Sequence, residues 1–295
     1  MTGETGSGAG RFAKKKISFD EQTHDMKTSL RRFHLRSVCE EARCPNMSEC
    51  FGAATATFLV MGGVCTRRCA FCSVPGGIPG PLDFDEISGL AGMVKASGLK
   101  YVVITSVTRD DLPDAGAGYL AAVSERVLGE TDARVELLFP DMAGRKESLE
   151  KLLAPSISVY NHNIEMTEGL YPLLRSGASY RISLRVLSLF SSAGKTTKTG
   201  FMVGLGESWQ DLEKLIGDIA SAGVQILTIG QYLQPTKRNL QVVRHYGEDE
   251  FQELGRRALR AGIRAVVSGP FVRSSYKAEE LFKEALRRVC SKEGN

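Results

Sequence analysis

The feature that most constrains this chain is a regular alternation of short apolar runs and amphipathic stretches between residue 55 and about residue 229. Residues 57–61, 101–105, 134–139, 157–160, 198–203 and 224–229 read as strands, being short and rich in β-branched or aromatic side chains. Between them, 86–97, 119–128, 146–153, a stretch ending near 190 and broken near Gly177, and 209–222 carry apolar residues at helical spacing. Leu212, Leu215, Ile216 and Ile219 make the cleanest of these faces. About six βα units in a row predict an α/β fold with a parallel sheet and right-handed crossovers. Six units rather than eight predict a partial (β/α)6 TIM-type barrel, open on one side. The pattern fades after residue 232, leaving a turn at Gln234-Pro235-Thr236, a helix over 248–261, a short strand over 264–267 and a terminal helix. Three segments follow: an N-terminal extension over 1–52, the partial barrel over 53–232 and a C-terminal extension over 233–295.

Ligands of parallel α/β sheets sit beyond the carboxyl ends of the strands. Directly after the first strand stand Cys65, Cys69 and Cys72, three cysteines in eight residues with the spacing C-x3-C-x2-C. The loop has no fourth Cys or His, whereas a structural zinc site is closed by four ligands. A cubane of four irons held by three thiolates leaves one iron for a ligand that is not protein. A second triplet, Cys39, Cys44 and Cys50, ends only fourteen residues before the first begins. It too lacks a local fourth ligand, so its closing atom comes from far along the chain. His34 is a candidate by residue type alone. The competing reading is a zinc-binding regulatory module that borrows a remote ligand.

Composition bounds the rest. Apolar residues make up 42% of the chain, enough for a sizeable core. A net charge of +4 is too mild to argue for nucleic acid, and Lys14-Lys15-Lys16 and Arg256-Arg257-Arg260 read as solvated faces. Six of seven cysteines fall into the two triplets, which fits metal binding in a reducing compartment better than a disulfide framework, and Cys290 reads as a free thiol. No N-terminal apolar segment resembles a signal peptide, and no apolar run approaches the ~20 residues that span a bilayer. These features predict a cytoplasmic protein without membrane segments. Residues 1–10 have little to bury and are expected to be disordered.

The loop Cys65-Thr66-Arg67-Arg68-Cys69-Ala70-Phe71-Cys72, with its aromatic before the last cysteine, resembles the radical S-adenosylmethionine (SAM) enzymes. That resemblance implies a [4Fe–4S] cluster whose open iron binds SAM as cosubstrate, the cofactors carrying the hard chemistry. Polar groups following strands then become candidates for holding SAM: Ser106, Asn161 and Glu165 first, with Arg109-Asp110-Asp111, His162-Asn163 and Gly204-Leu205-Gly206-Glu207 on the same mouth. Gly204–Glu207 does not match a dinucleotide fingerprint.

Longer motifs narrow the resemblance. CEEARCPNMSEC, TSVTRDDLPDAGA, YNHNIE, TKTGFMVGLGE, LTIGQYLQPT and RSSY are similar to those of the lipoyl synthase family, over roughly residues 37–280. The resemblance implies a sulfurtransferase with two [4Fe–4S] clusters. Cys65, Cys69 and Cys72 would hold the SAM-binding one, and Cys39, Cys44, Cys50 and Ser275 of RSSY an auxiliary one that supplies sulfur. One oxygen among thiolates suits a soft cluster poorly and marks an iron that can leave. The implied reaction inserts two sulfurs at C6 and C8 of a protein-bound octanoyl-lysine, using two SAM. The implied partners are octanoylated lipoyl carrier domains (2-oxoacid dehydrogenase E2 or glycine cleavage H protein), a reducing electron donor and a cluster-assembly carrier. The chain departs from the family pattern at Phe51, where tryptophan is usual, and at Ser48, where glycine is usual. A methylthiolating relative is the alternative within radical chemistry.

Overall fold

The computed structural model describes residues 21–42, 44–52 and 55–290. The expectations for residues 1–10 and for Lys14-Lys15-Lys16 fall outside these residues, as does the side chain of Cys290. The elements in order are α1 (Glu21–Arg32), β1 (Arg36–Ser37), α2 (Val38–Glu41), α3 (Met47–Gly52), β2 (Thr57–Val60), α4 (Asp85–Ser97), β3 (Tyr101–Ser106), α5 (Ala117–Glu130), β4 (Arg134–Leu138), α6 (Lys146–Lys151) and β5 (Val159–Asn161). Then come α7 (Tyr171–Leu174), α8 (Tyr180–Ser192), β6 (Thr197–Val203), α9 (Trp209–Ser221), β7 (Ile226–Gln231), α10 (Glu248–Arg260), β8 (Ala265–Gly269) and α11 (Ala278–Cys290).

One sheet runs β1 to β8 in chain order. β1 is antiparallel to β2, and the pairs from β2–β3 to β7–β8 are all parallel. This is the expected open α/β barrel with one more parallel strand than the six counted. The extra strand is β8, in register with β7 from Ile226↔Ala265 to Gly230↔Gly269. It reads as isolated in sequence because the connection before α10 begins with a long loop, 232–247, that has no helical period. Ahead of the barrel, α1 ends at Arg32, and Arg36–Ser37 pairs with the edge of the sheet.

The helices bury the faces their spacing marks. α9 buries Leu212, Leu215, Ile216 and Ile219 and is closed at its start by a Ser208–Asp211 capping box. Seven strands leave the barrel interior wide, and α11 fills its floor. Ala278, Leu281, Phe282 and Ala285 pack against Tyr101, Val103, Val159, Ile226 and Ala265, contributed by four strands. Burying such a set contributes about 1.5–3 kcal/mol per large side chain. Among the described residues no helix is long and apolar enough to cross a membrane.

Candidate active site

The cysteine loop after β2 is fastened on several sides. Cys65 N–H donates to the Pro75 carbonyl at 2.8 Å and Gly77 N–H to the Cys65 carbonyl at 2.8 Å, so residues 65 and 76 form a bridge. Arg67, 7% exposed, reaches Asp110 at 2.8 Å and Asp141, 1% exposed, at 2.7 Å. Burial opposes its charge, but the two carboxylates overcome that and hold the guanidinium more firmly charged than usual. Asp110 is therefore spent on the loop, along with Thr66, whose hydroxyl donates to the Thr108 carbonyl at 3.0 Å. Arg109 is spent on Asp111 at 2.8 Å. On the far side Asn239 donates to the Cys72 carbonyl at 2.8 Å, and Ala70 N–H to Leu174 at 2.8 Å. Burial pushes the Cys69 thiol up to about 11, with Arg175 opposing and Cys72 and Glu165 reinforcing. Cys72 is raised for the same first reason. Thiols so disposed become ligands when a metal displaces the proton.

The N-terminal triplet is set by α2 and α3. Ser37 accepts from Cys39 N–H at 3.1 Å and donates to the Thr57 carbonyl at 3.1 Å, which fixes Cys39 against β2. Cys44 N–H donates to the Cys39 carbonyl and Cys50 N–H to the Asn46 carbonyl. The segment 270–276 is latched onto this unit from the other end of the chain. Asn46 donates to the Phe271 carbonyl at 2.6 Å, and the Tyr276 hydroxyl to Glu49 at 3.0 Å.

These fastenings converge on a cavity of about 220 Å³. Cys39, Cys44, Cys50 and Ser275 all line it, with Asn163 and Glu165 on the wall toward the barrel. Three thiols and a hydroxyl at one cavity are a donor set suited to an iron–sulfur cluster. Among the described residues, no three His, Cys, Asp or Glu side chains converge as they would around a single ion. His34 is exposed in the turn after α1 and is not among the cavity residues.

The SAM candidates divide. Glu165 sits at φ +69°, held there by bridging to Phe201, with its N–H on the Gly200 carbonyl at 2.9 Å. That left-handed backbone costs about 1–2 kcal/mol for a residue with a Cβ, and it aims the carboxylate into the mouth. Burial raises the Glu165 carboxyl, while Arg175 and a hydrogen bond from Asn163 oppose. Its charge is felt at Cys69 and Cys72, so it stands between the two cysteine sets. Ser106 ends β3 half-buried, and its hydroxyl has no partner among the described residues. Asn161 is completely buried, with Nδ2 on Glu136 at 2.8 Å and on Ser274 at 3.0 Å, below the cavity wall. Asn163, two residues on, takes the lining position expected of Asn161. Glu207 is consumed by its own loop, accepting from Gly204 N–H at 2.6 Å and Leu205 N–H at 2.8 Å. His162 lies in the core, its Nδ1 donating to the Phe139 carbonyl at 2.9 Å and its Nε2 facing Ser183 at 3.0 Å.

An open α/β barrel with a three-cysteine loop beyond its first parallel strand defines a radical SAM protein, and the radical SAM superfamily pattern matches residues 59–219. Solved structures agree on the fold: methylornithine synthase at TM-score 0.57 and 15% identity, over 83% of this chain and 74% of that one, and SuiB of Streptococcus suis bound to S-adenosylmethionine at 0.54 and 11%, over 80% and 52%. Sequence goes further. Lipoyl synthase from Caldicellulosiruptor bescii is 47% identical over 271 residues, 91% of this chain and 93% of that one. The Aquifex aeolicus lipoyl synthase is 46% identical over 90% and 98%, and that of Pyrobaculum arsenaticum 47% over 88% and 90%. The chain belongs to the lipoyl synthase family, radical SAM sulfur-inserting enzymes whose cofactors are [4Fe–4S] clusters and SAM.

Proposed function

We propose that the chain inserts sulfur at C6 and C8 of an octanoyl group linked to a lysine of a lipoyl carrier domain. The observation that carries this is the meeting of Cys39, Cys44, Cys50 and Ser275 at one cavity whose wall bears Glu165, which also faces the Cys65–Cys72 loop. Cys65, Cys69 and Cys72 hold the SAM-binding cluster; Cys39, Cys44, Cys50 and Ser275 hold the auxiliary one. When bound, the first supplies the electron for radical generation from SAM and the second supplies the sulfur.

The protein's part is placement. Glu165, Asn163 and Ser106 orient the nucleoside at the strand ends. Glu165 acts as a hydrogen-bond acceptor, since an aliphatic C–H has no acidic proton for a base. Val38, Ala42, Leu138, Phe201, Met202 and Val272 give the cavity an apolar side that accepts an acyl chain and keeps water from reactive species.

The carrier docks at the mouth. Arg68, Lys237 and Arg238 are exposed there, with no ion pair among the described residues. Ile78, 97% exposed, and Val243, 63% exposed, add apolar contacts. An acidic domain, from a 2-oxoacid dehydrogenase E2 or a glycine cleavage H protein, fits this surface. The setting is the cytoplasm, with a reducing electron donor and a carrier that rebuilds the auxiliary cluster.

The test is anaerobic reconstitution followed by mass spectrometry of an octanoylated carrier peptide. A gain of two sulfurs is expected. SAM cleaved to 5′-deoxyadenosine with the peptide unaltered refutes the substrate.

A further inference from the structure

A polar chain crosses the barrel from its floor to the cavity. Glu136 and Lys198, each 0% exposed, pair at 2.8 Å. The Tyr101 hydroxyl donates to Glu136 Oε2 at 2.9 Å, at the end closed by α11. Asn161 Nδ2 donates to Glu136 Oε1 at 2.8 Å and to Ser274 Oγ at 3.0 Å. Ser274 Oγ donates to Asn163 Oδ1 at 2.8 Å, and Asn163 in turn bonds Glu165.

Burying two charges inside a barrel carries a desolvation cost that apolar side chains of similar volume avoid. Here the pair orients Asn161, and through it Ser274. Segment 270–276 belongs to no strand or helix up to residue 276. Asn46 and Glu49 tie it to the cysteine helices, and Arg273, donating to the Gln231 carbonyl at 3.3 Å, ties it to β7. Ser274 adds the tie to β5 and its loop. Its hydroxyl accepts from one asparagine while donating to the other, which an alkyl side chain cannot do.

The geometry points to Ser274 as a positioning residue. It keeps Ser275 over the auxiliary cysteines in register with the Asn163–Glu165 wall, and it retains the segment when Ser275 lets go of iron. The inference rests on the reading of Ser275 as the fourth ligand.

The test compares Ser274→Ala, Ser274→Thr and Ser275→Ala. In the cluster-free chain, amide hydrogen exchange over residues 271–276 is expected to quicken about tenfold in Ser274→Ala and to return toward wild type in Ser274→Thr. With only the auxiliary cluster reconstituted and then reduced by one electron with dithionite, in a background lacking Cys65, Cys69 and Cys72, Ser274→Ala is expected to broaden or shift the cluster's electron paramagnetic resonance signal. In the fully loaded enzyme it raises the 5′-deoxyadenosine formed per sulfur inserted several-fold. Wild-type exchange and spectrum in Ser274→Ala, or equal damage in the Ala and Thr variants, would overturn the inference. If Ser275→Ala also leaves the spectrum unchanged, the ligand reading falls. If Ser275→Ala alters it and Ser274→Ala does not, only the positioning role falls.

Discussion

Gly230, near the end of β7, lies under the C-terminal segment where that segment crosses the sheet. A Cβ placed on Gly230 would stand 2.2 Å from the Val272 carbonyl oxygen and 3.3 Å from Arg273 Nη1. Real Cβ atoms do not approach closer than 3.0 Å, so in Gly230→Ala the Val272 carbonyl must retreat by about 0.8 Å. The obstacle is backbone, in a carbonyl that also accepts from Arg273 at 2.6 Å, so it has no flexible tip to swing aside. Overpacking of this kind costs about 1–3 kcal/mol, a fall in Tm of several degrees. The larger effect is on Ser275, three residues on. A displacement of order 1 Å at a reacting centre costs about a hundredfold in rate. Sulfur insertion by Gly230→Ala is therefore expected to fall about a hundredfold, with SAM cleavage reduced far less, because the Cys65–Cys72 loop is fastened elsewhere. Mass spectrometry of the peptide, with 5′-deoxyadenosine measured in the same samples, gives both rates. An unchanged ratio of deoxyadenosine to inserted sulfur would refute the claim that segment 270–276 sets the geometry of the auxiliary site.

Other outcomes follow from the same geometry. Arg67→Met leaves Asp141 buried without its cation; it should cost about 3–5 kcal/mol in denaturant unfolding and reduce reconstitution from two clusters to one, as read by iron content. Burial, seconded by Arg175, lowers His162 to about 4. Its folded value lies below the unfolded one, so its contribution is whole above about pH 6.5 and is lost as pH falls toward 4, about 3 kcal/mol in all. A His162→Gln chain, cluster-free, should show a flatter decline in stability across that window; an identical decline would contradict the assignment. Reversing Arg68, Lys237 and Arg238 to Glu should raise KM for an intact octanoylated carrier domain about tenfold at low salt and flatten or invert its salt dependence, leaving KM for a short peptide unaltered.

What the sequence disclosed and what it withheld have physical reasons. The cysteine triplets are local, so spacing alone exposes them, and strands buried on both faces write long apolar runs that fix the α/β alternation. Asn161 closes β5 and Asn163 lies two residues beyond it in the loop, and only where β5 ends decides that one is sealed against Glu136 while the other meets the cavity. Arg109-Asp110-Asp111 looked like a ligand loop because it follows a strand, but Arg67 claims Asp110. The arrival of Ser275 at the cavity depends on Asn46–Phe271 and Glu49–Tyr276, pairs separated by more than two hundred residues, and no periodicity reports such contacts.

The helix that stops the floor of the barrel comes later in the chain than every strand it packs against. Until Leu281 and Phe282 arrive, Tyr101, Val103, Val159 and Ile226 surround a hollow with nothing to bury them. The nascent protein is thus a cup awaiting its base, and shortening α11 should produce insoluble material rather than a smaller working enzyme.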